Sequence, residues 1–108
     1  MIGPYQLNTN NIPAVVTRTS AGVYILSRDG ISANYVGRSD TNLAERLATW
    51  INQGYSHFWF EYVTSQIQAF NGECNWYHSY QNLDNTIHPA RPTNSGWQCP
   101  RCTIFQTQ

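Results

Sequence analysis

Gly22-Val-Tyr-Ile-Leu26 is followed, after a polar segment, by Tyr35-Val-Gly37. Branched and aromatic side chains of this kind favour β-strands. Between the two stretches, Asp29-Gly30 is a turn signal, because this residue pair suits the tight connection of a hairpin. The sequence therefore predicts a β-hairpin that carries one tyrosine on each strand, Tyr24 and Tyr35.

A helix is predicted after the hairpin. Asn42 and Glu45 have the spacing of a capping box, in which side chains satisfy the free N–H groups of the first helical turn. Apolar residues then recur at helical spacing on one face, and Gly54 is a suitable terminator. These apolar residues are Leu43, Leu47, Trp50 and Ile51.

The rest of the chain predicts one more strand and one more helix. His57–Val63 is rich in aromatic and branched residues and is interpreted as a buried third strand. Apolar residues at helical spacing indicate a second helix from about Ser65 to Tyr80. Residues 1–21 are polar and interrupted by prolines, and within them Ile12–Val16 is compatible with an edge strand or a packed lead-in.

This order of elements predicts a single domain over residues 1–108 of the α/β class, of the α+β type. We expect a small three-stranded, mostly antiparallel sheet flanked by helices. The core should cover about residues 21–85, and an irregular tail should follow over residues 86–108. At about 100–150 residues per domain, the chain has no room for a second core.

Composition limits the classes of function. Six acidic residues balance six basic ones, so the formal net charge is zero and long-range electrostatic capture of nucleic acid is not expected. All six basic residues are arginines, which excludes Schiff-base lysines and the lysine of a phosphate-binding loop. The three cysteines are too few for a disulfide framework, and no apolar run approaches a membrane helix. A cytoplasmic location with no membrane partner is therefore predicted.

Two triplets, Gly22-Val-Tyr24 and Tyr35-Val-Gly37, are separated by ten residues. Together they resemble the paired signature of the GIY-YIG nuclease superfamily. The pattern continues with Arg38 directly after the second triplet, with Asn42-Leu-x-x-Arg46-Leu on the following helix, with Glu73 in a later helix and with Asn85 twelve residues beyond it. The resemblance covers roughly residues 21–85. It implies a metal-dependent endonuclease that hydrolyses phosphodiester bonds in DNA.

The resemblance also implies the catalytic residues, which are Tyr24, Tyr35, Arg38, Arg46, Glu73 and Asn85. Such a reaction needs an activated water and neutralisation of charge on the phosphoryl oxygens. The arginines supply positive charge, and Glu73 would hold one Mg²⁺, which keeps most of its waters. Two phenols can orient or deprotonate a water when a nearby cation lowers their pKa. Tyr24 is the first choice for the general base and Tyr35 for the orienting group, and the reverse assignment stays open.

One departure from the family pattern lies one turn after Arg46. Members often carry His or Tyr there, whereas this chain has Trp50, which cannot transfer a proton. The alternative to an enzyme is therefore a non-catalytic module that keeps the fold and binds nucleic acid or protein. DNA is the expected partner, and a dimer or a targeting partner would select the substrate, because no DNA-reading motif is visible.

The cysteines predict a structural zinc site. Cys99-Pro-Arg-Cys102 has the form of a zinc knuckle, and Cys74 and His78 lie at i and i+4 on one helical face. Together they make a closed set of four ligands, with His88 as the alternative to His78. A redox Cys-x-x-Cys motif, a disulfide or three unrelated thiols are the competing interpretations.

Overall fold

The computed structural model describes residues 1–106. Within this range an antiparallel sheet of four strands combines with three helices. The strands are β1 (Ile2–Gln6), β2 (Gly22–Ser27), β3 (Tyr35–Ser39) and β4 (His57–Tyr62), and the helices are α1 (Asn11–Val15), α2 (Leu43–Ala48) and α3 (Gln66–Ser79). The strand order is β1-β4-β2-β3, and every pairing is antiparallel. The predicted α+β class and antiparallel sheet are confirmed.

The hairpin forms as predicted, and β2 is its buried strand. Every residue of β2 is buried, because β2 lies between β3 and β4. In the hairpin register, Tyr24 lies opposite Gly37 and Leu26 lies opposite Tyr35. The connecting turn is stabilised by Asp29, whose Oδ1 accepts the backbone N–H groups of the two residues that follow Gly30.

The predicted count of three strands is wrong, because β1 adds a fourth at the edge. It pairs with β4 alone, and its residues are mostly exposed. Hydrophobic alternation is weak in such a strand, since backbone hydrogen bonds rather than a buried face hold it to the sheet. Of the two alternatives for Ile12–Val16, the edge strand is wrong, because the segment overlaps α1; the burial of Ile12 and Val16 agrees with a packed lead-in.

Asn42 caps α2 as predicted, and a side-chain cap that was not predicted begins α3. Asn42 Oδ1 accepts a hydrogen bond from the Glu45 backbone N–H at the start of α2. At the start of α3, Ser65 Oγ accepts one from the Gln68 backbone N–H. Helix α2 ends at Ala48, earlier than Gly54, and Trp50 follows in a turn. Trp50 and Ile51 nevertheless pack against the core, as the apolar pattern predicts.

Apolar clusters cover both faces of the sheet. On one face, the buried side chains of the sheet pack with α2 and with the N-terminal segment, so the core includes Leu7, Ile12 and Val16, ahead of the predicted start near residue 21. On the other face, Val23, Ile25 and Val36 form a second cluster with Trp76 of α3 packed against it. In the described range, no helix combines the length and apolar character that a membrane crossing requires.

Candidate functional site

A polar cleft of about 380 Å³ lies beside β3, the edge strand of the hairpin. Five of the six catalytic residues implied by the resemblance line this cleft, and they come from β2, β3, α2 and α3. They are Tyr24, Tyr35, Arg38, Arg46 and Glu73. The sequence interpretation did not include Ser39, Asp40 and Ala90, which also line it; Asp40 could have been noticed as the acidic residue just beyond Arg38.

The glycines of the two triplets allow close packing around this cleft. A Cβ atom at Gly37 would overlap the phenol ring of Tyr24, which lies across β3 at that position. A Cβ atom at Gly22 would come within 2.6 Å of the Glu61 carbonyl oxygen and of Leu43 Cδ2. Larger residues at either position would therefore displace Tyr24 or move α2 away from the sheet.

The Tyr24 phenol is fully buried, and its hydroxyl is held by its neighbours. Its oxygen accepts a 2.7 Å hydrogen bond from the Trp50 indole N–H. Burial raises the pKa of Tyr24 to about 12, although the Trp50 hydrogen bond and the adjacent Arg46 guanidinium both act to lower it. At neutral pH this phenol is therefore protonated.

The Tyr35 phenol is half-buried and more accessible to water than Tyr24. Its ring packs against Trp50, with 4.6 Å between the ring centroids. Burial and the nearby Glu73 carboxylate raise its pKa, whereas Arg46 lowers it. Both phenols thus depend on additional positive charge to ionise.

Glu73 supplies the one carboxylate that α3 contributes to the cleft. Arg38 Nη1 donates to Glu73 Oε1 at 2.6 Å, and Arg38 Nε donates to Asp40 Oδ1 at 3.0 Å. Burial raises the pKa of Glu73 despite the opposing charge of Arg38. The second oxygen of Glu73, Oε2, accepts no hydrogen bond within residues 1–106. Every fully buried side-chain oxygen in this range has a hydrogen-bond partner, so Oε2 is not fully buried and remains accessible to a ligand.

Arg46 differs from Arg38 because it forms no ion pair with a carboxylate in the described range. It lies on the exposed side of α2 and lines the cleft. Its guanidinium interacts with the Tyr24 hydroxyl, an interaction that raises the pKa of Arg46 further. A free guanidinium in a cleft is well suited to bind a phosphate or carboxylate group.

The structure does not bring Asn85 into the cleft. Its side-chain amide instead pairs with the backbone of Val36 on the outer edge of β3: Nδ2 donates to the carbonyl oxygen at 2.8 Å, and Oδ1 accepts from the N–H at 3.0 Å. Asn85 therefore satisfies backbone groups that an edge strand leaves unpaired. A catalytic contact from Asn85 has no support in this geometry.

A second cluster, which we call the His2Cys2 cluster, consists of His78, His88, Cys99 and Cys102. Their ligand atoms all lie within 4.8 Å of one another. His88 Nε2 is 3.2 Å from His78 Nε2 and 3.3 Å from Cys102 Sγ. Two imidazoles and two thiols in such proximity can bind a metal such as zinc.

Contacts around the His2Cys2 cluster orient its ligand atoms. His88 Nδ1 lies 2.9 Å from the Pro89 carbonyl oxygen, a contact in which a ring N–H at Nδ1 leaves Nε2 free as a ligand. Arg101 donates its backbone N–H to Cys99 Sγ at 3.4 Å, which stabilises negative charge on that sulfur. Both contacts therefore help to hold members of the cluster in position.

The predicted ligand set, which includes Cys74, differs from the His2Cys2 cluster that the structure brings together. Both histidines belong to the cluster, so His88 accompanies His78 rather than replacing it, and Cys74 lies outside the group. Cys74 is instead fully buried beside Phe70 and Cys99, and burial raises the pKa of its thiol. The i, i+4 spacing correctly placed Cys74 and His78 on neighbouring turns, but Cys74 faces the apolar core.

Comparison of the chain with models of known protein families, with curated proteins and with solved structures finds no match. The resemblance to the GIY-YIG superfamily therefore stays a prediction that rests on the sequence motifs. What the cleft can do chemically depends on its own side chains.

Proposed function

We propose that the cleft beside β3 is the active site of a metal-dependent endonuclease of the GIY-YIG type, which hydrolyses phosphodiester bonds in DNA. One observation carries this proposal: two phenols, two guanidinium groups and one carboxylate from four separate elements line a single cleft. Phosphodiester hydrolysis needs these kinds of group, because charge develops on the phosphoryl oxygens while a water attacks.

The two arginines have different roles in this proposal. Arg46, which has no carboxylate partner in the described range, binds the non-bridging oxygens of the scissile phosphate. Arg38 is already engaged by Glu73 and Asp40, so it positions these carboxylates and adds positive charge close to the phosphate. This division follows from the contacts of each guanidinium group.

Glu73 has the properties of a magnesium ligand. Its Oε2 atom is accessible, and its Oε1 atom is held by Arg38. A single carboxylate suits Mg²⁺, which takes its remaining ligands from water and from substrate oxygens. When bound, Mg²⁺ supplies Lewis-acid polarisation of the phosphoryl group and neutralises charge in the cleft.

The phenols divide according to their accessibility. Tyr35 is half-buried and can contact the attacking water, so we assign it the transfer or orientation of the water proton. Tyr24 is fully buried, has a pKa raised to about 12 and is fixed by Trp50, so it serves better as a positioning hydroxyl. This assignment reverses the one preferred from the sequence.

We also propose that the His2Cys2 cluster holds one structural Zn²⁺. Two imidazole nitrogens and two thiolates complete a tetrahedral set, which leaves no open position for catalysis. His78 lies near the end of α3, and the other three ligands lie in the tail. The metal would therefore tie the tail to the helix that carries Glu73.

A non-catalytic binding module is the second candidate. The observation that favours it is the Trp50–Tyr24 hydrogen bond together with the raised pKa of Tyr24, since a phenol protonated at neutral pH is a poor base. Such a module would bind nucleic acid or protein through the same cleft without cleaving it. The two candidates differ in whether DNA is cut when Mg²⁺ is present.

The proposed activity is tested by nicking of a supercoiled plasmid in the presence of Mg²⁺. Wild-type protein should nick the plasmid, and Glu73→Gln should lower the single-turnover rate by about 10²-fold or more, because the variant loses the metal-binding charge. Glu61→Gln is the matched control, since Glu61 bonds to Trp76 on the other face of the sheet. Plasmid binding without nicking by the wild type would support the binding module instead.

A further inference from the structure

A second polar depression, of about 570 Å³, adjoins the cleft. The two share Asp40 as a wall. Six of its ten lining residues carry a hydroxyl group, and its charged residues are Arg18 and Asp40. We call this depression the Arg18 groove.

The Arg18 groove and the cleft also meet through a third depression on the α2 side. That depression, of about 220 Å³, shares Ser39 and Arg46 with the cleft and Thr41 with the Arg18 groove. The segment from Ser39 to Thr41 therefore borders all three spaces. Neighbouring depressions on one surface suit a polymeric substrate, whereas a small phosphodiester would occupy the cleft alone.

Arg18 and Arg46 are the two arginines whose guanidinium groups donate no hydrogen bond within residues 1–106, and only Arg18 lies outside the cleft. Its exposed side chain lies over the Tyr62 ring, with Cζ 5.1 Å from the ring centroid. The other four arginines each donate to a polar group of the protein: Arg28 to Asp84, Arg38 to Glu73, Arg91 to the Trp97 carbonyl oxygen and Arg101 to the Asn75 carbonyl oxygen.

Tyr62 contacts the Arg18 segment through both its ring and its hydroxyl group. Its ring supports the guanidinium, and its hydroxyl oxygen accepts the backbone N–H groups of Thr17 at 3.0 Å and of Arg18 at 3.3 Å. A guanidinium stacked on an aromatic face keeps its N–H donors free in the plane of the group. Those donors match the two oxygens of a phosphate.

We propose that the Arg18 groove binds a phosphate of the DNA strand away from the scissile linkage, so that the substrate is a polynucleotide that extends from the cleft to Arg18. The inference rests on the proposed function, because the cleft must hold the scissile phosphate of the same strand. Backbone contacts of this kind position a nucleic acid without reading its sequence. In a protein with no net charge, local contacts have to supply this attraction.

The test compares Arg18→Gln with Arg28→Gln, which changes the net charge equally. Arg28 follows the C-terminal end of β2, whereas the Arg18 groove lies beside its N-terminal end. Binding of a fluorescent duplex DNA oligonucleotide is measured without Mg²⁺ over a range of salt concentrations. Arg18→Gln should weaken binding and reduce the slope of log affinity against log salt by about 0.9, the value for one phosphate contact. Arg28→Gln should keep the wild-type slope.

A second measurement uses bis(p-nitrophenyl) phosphate, which has no second phosphate for Arg18 to bind. With Mg²⁺ present, Arg18→Gln should hydrolyse this compound at the wild-type rate while its KM for DNA rises. A wild-type salt slope for Arg18→Gln, or equal losses in both variants, would overturn the inference while plasmid nicking by the wild type leaves the proposed function intact. If the wild type neither nicks DNA nor hydrolyses the small phosphodiester, this result contradicts the proposed function, and the inference, which rests on it, is overturned as well.

Discussion

Trp50 donates its indole N–H to the phenolic oxygen of Tyr24 over 2.7 Å, so the turn after α2 holds the hydroxyl of a tyrosine on β2. In the family pattern this position often carries His or Tyr, and Trp cannot transfer a proton. The contact gives Trp50 a different role, because it fixes the orientation of Tyr24 while its ring also packs on Tyr35. The departure from the pattern is thus compatible with an organised site.

We predict an energetic coupling of about 1 kcal/mol between Trp50 and Tyr24, the usual net value of one hydrogen bond. Trp50→Phe keeps an aromatic ring against Tyr35 and removes the donor. The coupling is obtained from the unfolding free energies of Trp50→Phe, Tyr24→Phe and the double variant in a double-mutant cycle. Trp76→Phe combined with Tyr24→Phe is the control, and its effects should add, because Trp76 bonds to Glu61. Full additivity in both cycles would contradict the contact.

We predict that Tyr35→Phe slows single-turnover cleavage of DNA by about 10²–10⁴-fold, the range for a positioned proton transfer. The ring is retained, so the melting temperature and DNA affinity should stay close to those of the wild type. Tyr24→Phe should lower both the rate and the melting temperature, since Trp50 loses its acceptor. Tyr5→Phe on β1 is the control. Normal cleavage by both Tyr24→Phe and Tyr35→Phe would make these phenols core residues and favour the binding module.

We predict that Glu73→Gln melts at a higher temperature than the wild type near pH 7 in the absence of metal. Burial raises the pKa of Glu73 in the folded protein, so its ionised form costs folding free energy above that pKa. The cost disappears as the pH falls below the unfolded pKa of about 4.3, so the two melting temperatures should converge near pH 4. Thermal melts in EDTA from pH 4 to pH 8 measure this. A lower melting temperature for Glu73→Gln at pH 7 would mean that the Arg38 ion pair outweighs burial.

We predict about one zinc per chain, bound by the His2Cys2 cluster. His78→Ala and His88→Ala should each reduce the zinc content well below one, because a tetrahedral site loses one of its four ligands. Cys74→Ala should retain zinc and lower the melting temperature, since it removes a buried thiol from an apolar cluster. Elemental analysis of the purified variants distinguishes these cases. Zinc retained by His88→Ala and lost by Cys74→Ala would restore the ligand set that the sequence predicted.

Local patterns in the sequence predicted the elements that build the cleft. The hairpin follows from its branched residues and its Asp-Gly turn, and the start of α2 follows from the Asn42 cap, because these signals act over a few neighbouring residues. β1 was not predicted, because backbone hydrogen bonds hold it to β4 and its mostly exposed side chains show almost no hydrophobic alternation. Ser39 and Asp40 were missed as cleft residues for a similar reason: they lie where β3 ends and a turn begins, without periodicity.

Local sequence patterns predict the hairpin, the tyrosine on each of its strands, and the pair of cysteines in the tail. Long-range packing sets which distant partners meet: Glu73 with Arg38, Asn85 with the edge of β3, and His88 with the other members of the His2Cys2 cluster. Helical spacing specifies that Cys74 and His78 are neighbours on α3. It does not specify which of them turns toward the core, because that depends on how the tail packs, and the tail has no periodic pattern of its own.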